Sequence, residues 1–342
     1  MKRRTVLTGM AAGLAMPMLA RKGFAKGINL RVADSFPTTH QYSINCKAWL
    51  DRVTELTEGE VTFEYFPAQQ LAKSADLLDA AQNRIADIVY VPPLYQSARL
   101  PLSTVAALPM AASVKVEDMD KLNEAWFQMM TDQLNEKELM GLGVRGIRAM
   151  VTAPYQIMGR TDKFETLEQL DGKKLRSSGG VQERSVKALG AVPVGIPAPD
   201  LYPALQRGTV DGTLFNIPTA MGYNLQEQLM WATGNLNLGL FPIFYAINED
   251  VWQDLSTEVQ TALIDGSKDV QAEVLSADTK RAADFTAALE AKGGGVYDVK
   301  PEQFALWNER LAPVREDWVS GLEAQNKPAT EVLEAWSALI GA

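Results

Sequence analysis

From residue 28 onward, the hydrophobic and polar positions alternate between the periods of strands and helices. Residues 28–33 alternate as a strand, and helical spacing then places Ile44, Trp49, Leu50, Val53 and Leu56 on one apolar face before Gly59. Residues 60–66 and the apolar run 85–91 predict two further strands, separated by an amphipathic helix over residues 74–84. This order predicts an α/β domain with a mostly parallel sheet.

A second unit of the same kind begins near Met150. Its predicted strands cover residues 155–159, 173–176, 192–194 and 209–216, and its predicted helices cover 166–170, 181–189 and 201–207. Two similar halves imply a cleft between them. Residues 256–293 contain no Pro, and their helical spacing predicts a helix about 57 Å long. Such a helix must cross both halves or break near Gly266.

The N-terminal residues 1–25 have the composition of a secretory signal peptide. A basic start precedes an apolar stretch over residues 6–20, which is shorter than the roughly 20 residues that span a bilayer. Arg3 and Arg4, followed by Val6 and Leu7, favour the twin-arginine type, and an ordinary Sec signal is the alternative. We therefore expect an exported, periplasmic protein.

Charge and composition exclude several classes of function. The 342 residues include 33 Lys and Arg and 42 Asp and Glu, for a net charge of −9. Without residues 1–25 the net charge becomes −14, which gives no basic surface for nucleic acid. One His and one Cys cannot form a structural zinc site or an internal disulfide. We expect no metal or other cofactor, and Cys46 is interpreted as a buried small hydrophobe.

Ligands of parallel sheets bind beyond the carboxyl ends of the strands, which directs attention to specific loops. After the first strand come Ser35, Phe36 and His40, and around the end of the third come Tyr90 and Tyr95. Tyr90 packing in the core and Tyr95 at the surface are the alternatives.

Arg176 stands at the end of a predicted strand, in the run LRSSGG before a helix. Its planar guanidinium can hold a carboxylate through two charge-assisted hydrogen bonds. A surface or interdomain role is the alternative for an arginine at such a position.

Several motifs resemble those of TRAP (tripartite ATP-independent periplasmic) transporter solute-binding proteins, the DctP-like family. In the second half they are residues 167–176 (LEQLDGKKLR), 188–194 (ALGAVPV) and 201–212 (LYPALQRGTVDG). In the first half, His40, residues 57–61 (TEGEV), 66–71 (FPAQQL), 86–88 (ADI) and 107–109 (ALP) follow in the expected order. The resemblance covers about residues 28–290.

This resemblance implies an α/β, two-domain periplasmic binding protein fold with hinge strands and a long domain-spanning helix. Domain I would comprise residues 26–152 plus about 238–265. Domain II would comprise residues 153–237 plus about 266–342, including helices over 301–342 that cover a domain or form a docking surface. We expect a monomer, with a dimer possible.

The resemblance also implies a binding site for a small organic acid. Arg176 matches the arginine that holds the ligand carboxylate, and Phe215 or Asn216 matches a cleft position whose register stays open. Tyr155 and Gln156 stand where many sialic-acid and dicarboxylate binders have a second arginine, which suggests a monocarboxylate such as a hydroxy or keto acid. Asn235 lies near the expected hinge and is either a cleft residue or structural.

The expected function is periplasmic capture of this acid and its delivery to the TRAP membrane permease, without catalysis. A periplasmic ligand sensor and an ABC-type binding protein are alternatives. An exported enzyme is a further one, for which only His40 titrates near neutrality.

Overall fold

The computed structural model describes residues 27–109 and 119–341. The predicted signal peptide and its export type lie outside these residues. The first sheet contains five strands: β1 (Ile28–Ala33), β2 (Val61–Phe66), β3 (Ile88–Val91), β4 (Val144–Val151) and β10 (Pro242–Asn248). Their order is β2-β1-β3-β10-β4. β1 pairs in parallel with β2 and β3, whereas β10 is antiparallel to both of its neighbours.

The second sheet contains six strands: β5 (Gln156–Gly159), β6 (Lys174–Ser177), β7 (Val192–Gly195), β8 (Gly212–Phe215), β9 (Trp231–Thr233) and β11 (Gly295–Tyr297). Their order is β11-β9-β5-β8-β6-β7. β6 pairs in parallel with β7 and β8, and β5 is antiparallel to β8 and β9. The two predicted α/β halves are therefore present, each with one antiparallel strand inserted between its neighbours.

Two chain segments cross between the sheets and pair with each other. Thr152 N donates to Phe241 O at 3.1 Å, and Tyr155 N donates to Gly239 O at 2.9 Å. Gly239 has a φ of +88°, and a Cβ there would lie 2.2 Å from the carbonyl oxygen of Ala107. Only glycine therefore fits where the second crossing segment turns against the first sheet.

Eleven α-helices lie in the described part of the chain. They are α1 (Gln41–Leu56), α2 (Leu77–Gln82), α3 (Met119–Met129), α4 (Gly180–Ala188), α5 (Leu201–Gln206), α6 (Ile217–Gly222), α7 (Glu249–Asp254), α8 (Thr257–Asp269), α9 (Gln271–Glu290), α10 (Pro301–Glu323) and α11 (Ala329–Ile340). A π-helix over Met130–Leu139 continues α3, and short 3₁₀ helices include Pro93–Gln96 and Leu102–Ala107.

The predicted long helix breaks at Val270, between α8 and α9, four residues beyond Gly266. Gly266 lies inside α8, where a Cβ would come within 2.9 Å of Cγ2 of Val53. The glycine therefore permits close packing of α8 on α1 and does not end the helix. Beyond the break, α9 packs against both α1 and α6, and so contacts elements of both halves.

The buried face of α1 differs from the predicted one. Trp49, Leu50 and Val53 are buried, but Ile44 is 55% and Leu56 40% exposed. The buried stripe instead begins with Tyr42, Cys46, Trp49 and Val53, at spacings of four, three and four residues. Cys46 is buried as interpreted, and burial raises the pKa of its thiol to about 12.

The C-terminal helices pack near the first sheet. The Trp336 and Trp126 rings meet edge to face at 5.5 Å, and Trp318 Nε1 donates to Thr104 Oγ1 at 2.9 Å. α10 also contacts α4 of the second half, so these two helices contact both halves. In the part of the chain that the structure describes, no helix combines the length and the apolar character needed to cross a membrane.

Candidate binding site

A small cavity of about 20 Å³ lies between the two sheets. Both halves and both crossing segments contribute to its wall, which contains eight aromatic side chains. The lining residues are Phe36, Tyr42, Tyr90, Tyr95, Thr152, Tyr155, Ala198, Phe215, Asn216, Thr219, Tyr223, Phe241 and Ile243. This space is about that of one water molecule, so a larger occupant must displace the lining side chains or separate the halves.

Arg176 lies at the end of β6, fully buried beside this cavity. Its Nε donates to Ile196 O at 2.7 Å, and its Nη1 donates to Leu214 O at 3.1 Å. Nη2 lies 3.5 Å from the hydroxyl of Tyr95, and the guanidinium carbon lies 5.2 Å from the centre of the Phe215 ring. The Tyr155 hydroxyl also interacts with this guanidinium, which is thus held by backbone carbonyls and phenols.

Arg176 carries a charge that no side chain in the described ranges neutralises. None of its hydrogen bonds goes to a carboxylate, and it forms no ion pair with residues 27–109 or 119–341. A buried cation is costly unless an anion compensates it. The N–H groups of its two terminal nitrogens lie in one plane, which suits the two oxygens of a carboxylate.

Two phenols lie near this guanidinium. The Tyr95 hydroxyl accepts a hydrogen bond from Ala198 N at 2.8 Å, which ties the first half to the second. Burial raises the pKa of Tyr95 and of Tyr155, although the charge of Arg176 acts in the opposite direction on both. Both phenols are therefore neutral and leave the charge of Arg176 uncompensated.

The apolar wall is built from rings in mutual contact. The Phe36 ring lies 4.7 Å from that of Tyr90 and 5.3 Å from that of Tyr42. On the other side Tyr155 stacks on Phe241 at 5.9 Å with an interplanar angle of 7°. Flat, rigid walls of this kind favour an aromatic ring as the occupant.

The first turn of α6 presents polar atoms to the same cavity. Asn216 is the N-cap of α6, and its Oδ1 accepts a hydrogen bond from Thr219 N at 3.0 Å. The Nδ2 of Asn216 is buried without a hydrogen-bond partner in the described structure, and the Oγ1 of Thr219 interacts only with the hydroxyl of Tyr42. A ligand atom that accepts or donates a hydrogen bond would satisfy them.

His40 supports the cavity wall from behind. It caps α1 by accepting a hydrogen bond from Tyr42 N through Nδ1, and its ring stacks on Phe36 at 4.9 Å. It also contacts Tyr223 of the second half at 4.8 Å. Because burial lowers its pKa to about 3, the imidazole is neutral and cannot act as a second cation for the ligand.

Five sequence-predicted residues lie outside the cavity lining: Arg176 beside it and His40 behind it, and Gln156, Asn235 and Ser35. The amide of Gln156 donates to Leu236 O at 2.7 Å and accepts from Thr233 Oγ1 at 2.9 Å, so it ties β5 to β9. Asn235 forms a reciprocal pair of hydrogen bonds with the backbone of Val299. Ser35 is buried and is not among the lining residues. The polar groups of Gln156 and Asn235 are thus used in hydrogen bonds to neighbouring segments of the second half.

Six other predicted residues line the cavity: Phe36, Tyr90, Tyr95, Tyr155, Phe215 and Asn216. The sequence left open whether Phe215 or Asn216 occupies the cleft position. In the structure both of these adjacent residues line the cavity. Sequence reasoning missed Tyr42, Thr219, Tyr223 and Phe241. Tyr42 comes two residues after His40, at the start of a helix that follows a candidate loop, and this position was the available signal.

A larger open groove lies between α3 and α8. Its lining includes Asp120, Glu124 and Asp132 together with Lys268. Three acidic side chains near one lysine do not favour an organic anion. Among the described residues, no group of three or more His, Cys, Asp or Glu side chains is arranged to hold a metal ion.

Two α/β halves are joined by crossing segments, with a cavity between them beside an uncompensated arginine, as in a solute-binding protein for an anion. Residues 32–320 match the model of the bacterial extracellular solute-binding protein family 7, DctP, and the chain belongs to this family. Members of the family are periplasmic receptors of TRAP transporters that bind small organic acids and work with a membrane permease.

Known proteins similar to this chain differ in their ligands. The C4-dicarboxylate-binding periplasmic protein DctP of Rhodobacter capsulatus is 25% identical over 82% of this chain and 83% of its own length. A TRAP solute-binding protein of Rhodoferax ferrireducens, solved with benzoate, is 22% identical with a TM-score of 0.80, covering 92% of this chain and 98% of that one.

A marine metagenome TRAP solute-binding protein specific for aromatic acid ligands, solved with 3-hydroxybenzoate, is 22% identical. Its TM-score is 0.82, and the match covers 93% of this chain and 99% of that one. Other matching structures hold pyroglutamate or galactonate. These likenesses confirm the two-domain periplasmic binding protein fold, and they do not select a ligand.

Proposed function

We propose that this protein captures a small aromatic monocarboxylate in the periplasm and delivers it to the TRAP membrane permease. The observation that carries the proposal is the buried guanidinium of Arg176, without an acidic partner in the described structure, beside a cavity with eight aromatic side chains. The carboxylate accepts hydrogen bonds from N–H groups of Arg176, and the ring of the ligand packs between the aromatic walls.

The charge of the cavity supports one carboxylate and not two. None of the thirteen lining residues is basic, and His40 behind the wall is neutral. A second carboxylate would therefore enter a dry site without a compensating charge, which is costly. This argument separates the chain from its relative named for C4-dicarboxylates, although the two belong to one family.

Closure of the two halves would couple binding to a conformational change. Tyr95 of the first half touches Arg176 and Ala198 of the second, and His40 of the first touches Tyr223 of the second. Because these contacts join the halves, they form only when the halves meet. A ligand that fills the cavity shifts the equilibrium towards this closed form.

Isothermal titration of the purified protein, refolded to remove co-purified ligand, tests the proposal. We expect benzoate and phenylacetate to bind with one-to-one stoichiometry and to raise the melting temperature, because ligand binding stabilises the folded state. Succinate tests the second carboxylate, and benzyl alcohol tests the need for any carboxylate; neither should bind comparably. Tight binding of succinate without binding of benzoate would overturn the ligand class, and equal binding of benzyl alcohol would overturn the role of Arg176.

A further inference from the structure

The cavity contains hydrogen-bonding capacity that a simple aromatic acid leaves unused. Asn216 Nδ2 is buried at the cavity wall and has no hydrogen-bond partner among the described residues. Thr219 Oγ1 is buried beside it and interacts only with the hydroxyl of Tyr42. A buried polar atom without a partner is destabilising, and native proteins pair most of them. An unpaired amide N–H next to a hydroxyl with spare capacity indicates a ligand group that completes them.

These atoms are distinct from the groups that surround Arg176. Asn216 and Thr219 belong to the first turn of α6, whereas Arg176 lies on β6 and bonds to the carbonyl of Leu214 in β8. Tyr42 of α1 lines the same cavity as Thr219. Burial raises the pKa of Tyr42, and a hydrogen bond with Thr219 acts in the opposite direction, so two hydroxyl-bearing side chains, one from each half, meet at the cavity.

We infer that Thr219, with Tyr42 and Asn216, forms a subsite for a hydroxyl group on the ring or benzylic carbon of the aromatic acid. A hydroxyl both donates and accepts, so it can accept from Asn216 Nδ2 and exchange a hydrogen bond with Thr219 Oγ1. A second carboxylate would not suit this subsite, because no lining residue is basic. The inference rests on the proposed function and specifies the ligand class as hydroxylated aromatic monocarboxylates.

The subsite would act as a specificity determinant. A site built to hydrogen-bond a hydroxyl discriminates against the analogue that lacks it, because its own buried polar groups then stay unpaired. We expect at least one of 3-hydroxybenzoate, 4-hydroxybenzoate and mandelate to bind 10-fold or more tightly than its unsubstituted counterpart, benzoate or phenylacetate.

The test compares these ligand pairs by isothermal titration in the parent, Thr219→Val, Thr219→Ser and Thr161→Val. Thr219→Val keeps the backbone N–H that Asn216 accepts from, and should reduce the hydroxyl preference to 3-fold or less without weakening benzoate. Thr219→Ser restores a hydroxyl and should restore the preference. Thr161 is exposed and outside the cavity, so its valine variant should behave as the parent. Tyr42→Phe provides a second variant with the same expected direction.

The outcomes separate this inference from the proposed function. If benzoate binds as tightly as all three hydroxylated acids, or if Thr219→Val keeps the preference, the hydroxyl subsite is overturned and the aromatic monocarboxylate assignment stands. If no aromatic acid binds, both fail together. A preference that disappears in Thr219→Val and returns in Thr219→Ser supports the subsite.

Discussion

The hydroxyl of Tyr95 lies 3.5 Å from Nη2 of Arg176 and accepts a hydrogen bond from the backbone N–H of Ala198 at 2.8 Å. Tyr95 follows β3 of the first sheet, whereas Arg176 and Ala198 belong to the second half. One phenol therefore positions the guanidinium and fastens the two halves together. Because they join the two halves, these hydrogen bonds should form only when the halves meet, and we expect them to contribute to ligand affinity.

Tyr95→Phe should weaken ligand binding while leaving the fold intact. Loss of a neutral hydrogen bond costs about 0.5–1.5 kcal/mol, which corresponds to roughly 3- to 10-fold in Kd. Titration calorimetry with benzoate measures the change. Tyr202→Phe is the matched control, because the hydroxyl of this partly exposed tyrosine bonds to Glu227 and Gln228 outside the cavity. An unchanged Kd in Tyr95→Phe would show that this phenol does not contribute to closure.

Gly222→Ala should hinder closure. A Cβ on Gly222, in α6 of the second half, would lie 2.2 Å from Cδ2 of His40 in the first half. Real side chains do not approach this closely, so the halves must stay apart. We expect about a 10-fold or greater loss of affinity, and a radius of gyration from small-angle scattering that no longer decreases when ligand is added.

Gly321→Ala is the control for this substitution. Gly321 is also helical, in α10, and a Cβ there would meet no atom within 4 Å. Alanine favours a helix over glycine by about 1 kcal/mol, so this variant should keep its affinity and be slightly more stable. If both glycine variants bind and contract as the parent does, the contact between His40 and α6 does not limit closure.

Asp278→Asn should change the pH dependence of stability. Burial raises the pKa of Asp278 to about 7, above the ordinary value of 3.8, although the Gln41 amide donates to it at 3.1 Å and Arg281 is near. Between these pH values the folded protein binds more protons than the unfolded chain, so stability decreases as pH rises. The penalty is complete above pH 7 and absent below about pH 4.

The neutral asparagine removes this penalty and can still accept from Gln41. Denaturant melts at pH 5 and pH 8 should therefore show a gain in stability for Asp278→Asn that is larger at pH 8. Burial lowers the pKa of His40 and so makes stability increase with pH, which is opposite to the effect of Asp278. This contribution is the same in the parent and in Asp278→Asn, so it cancels when the two are compared. Asp284→Asn, on the exposed side of α9, should show no such pH-dependent gain. A gain that is larger at pH 5 would contradict the assigned direction.

The residues predicted from strand ends lie at or beside the cavity. Arg176 and Phe215 end adjacent parallel strands, so their positions follow from the sheet alone. Tyr42, Thr219 and Tyr223 reach the cavity from the ends of helices, and which side of a helix faces the cleft depends on how the halves meet. That relation is tertiary and leaves no local pattern in the sequence.

Gln156 illustrates the reverse case. Its place in the aligned pattern pointed to the ligand, but in the structure Thr233 and Leu236 occupy its amide. The resemblance to other sequences indicates where Gln156 lies along the chain. It does not show which groups of the neighbouring strand hydrogen-bond to its side chain. The exposure of Ile44 has a similar origin, because the stripe that α1 buries is set by α8 and the sheet together.

The most direct test of the central claim is the affinity of Arg176→Lys for benzoate, measured by titration calorimetry beside Arg184→Lys on the exposed side of α4. Lysine keeps the charge but loses the planar pair of N–H groups and the bonds that hold them. We predict a loss of 100-fold or more, about 3 kcal/mol, for Arg176→Lys and none for Arg184→Lys, with circular dichroism showing both variants folded. Binding of benzoate by folded Arg176→Lys within 3-fold of the parent would contradict the account.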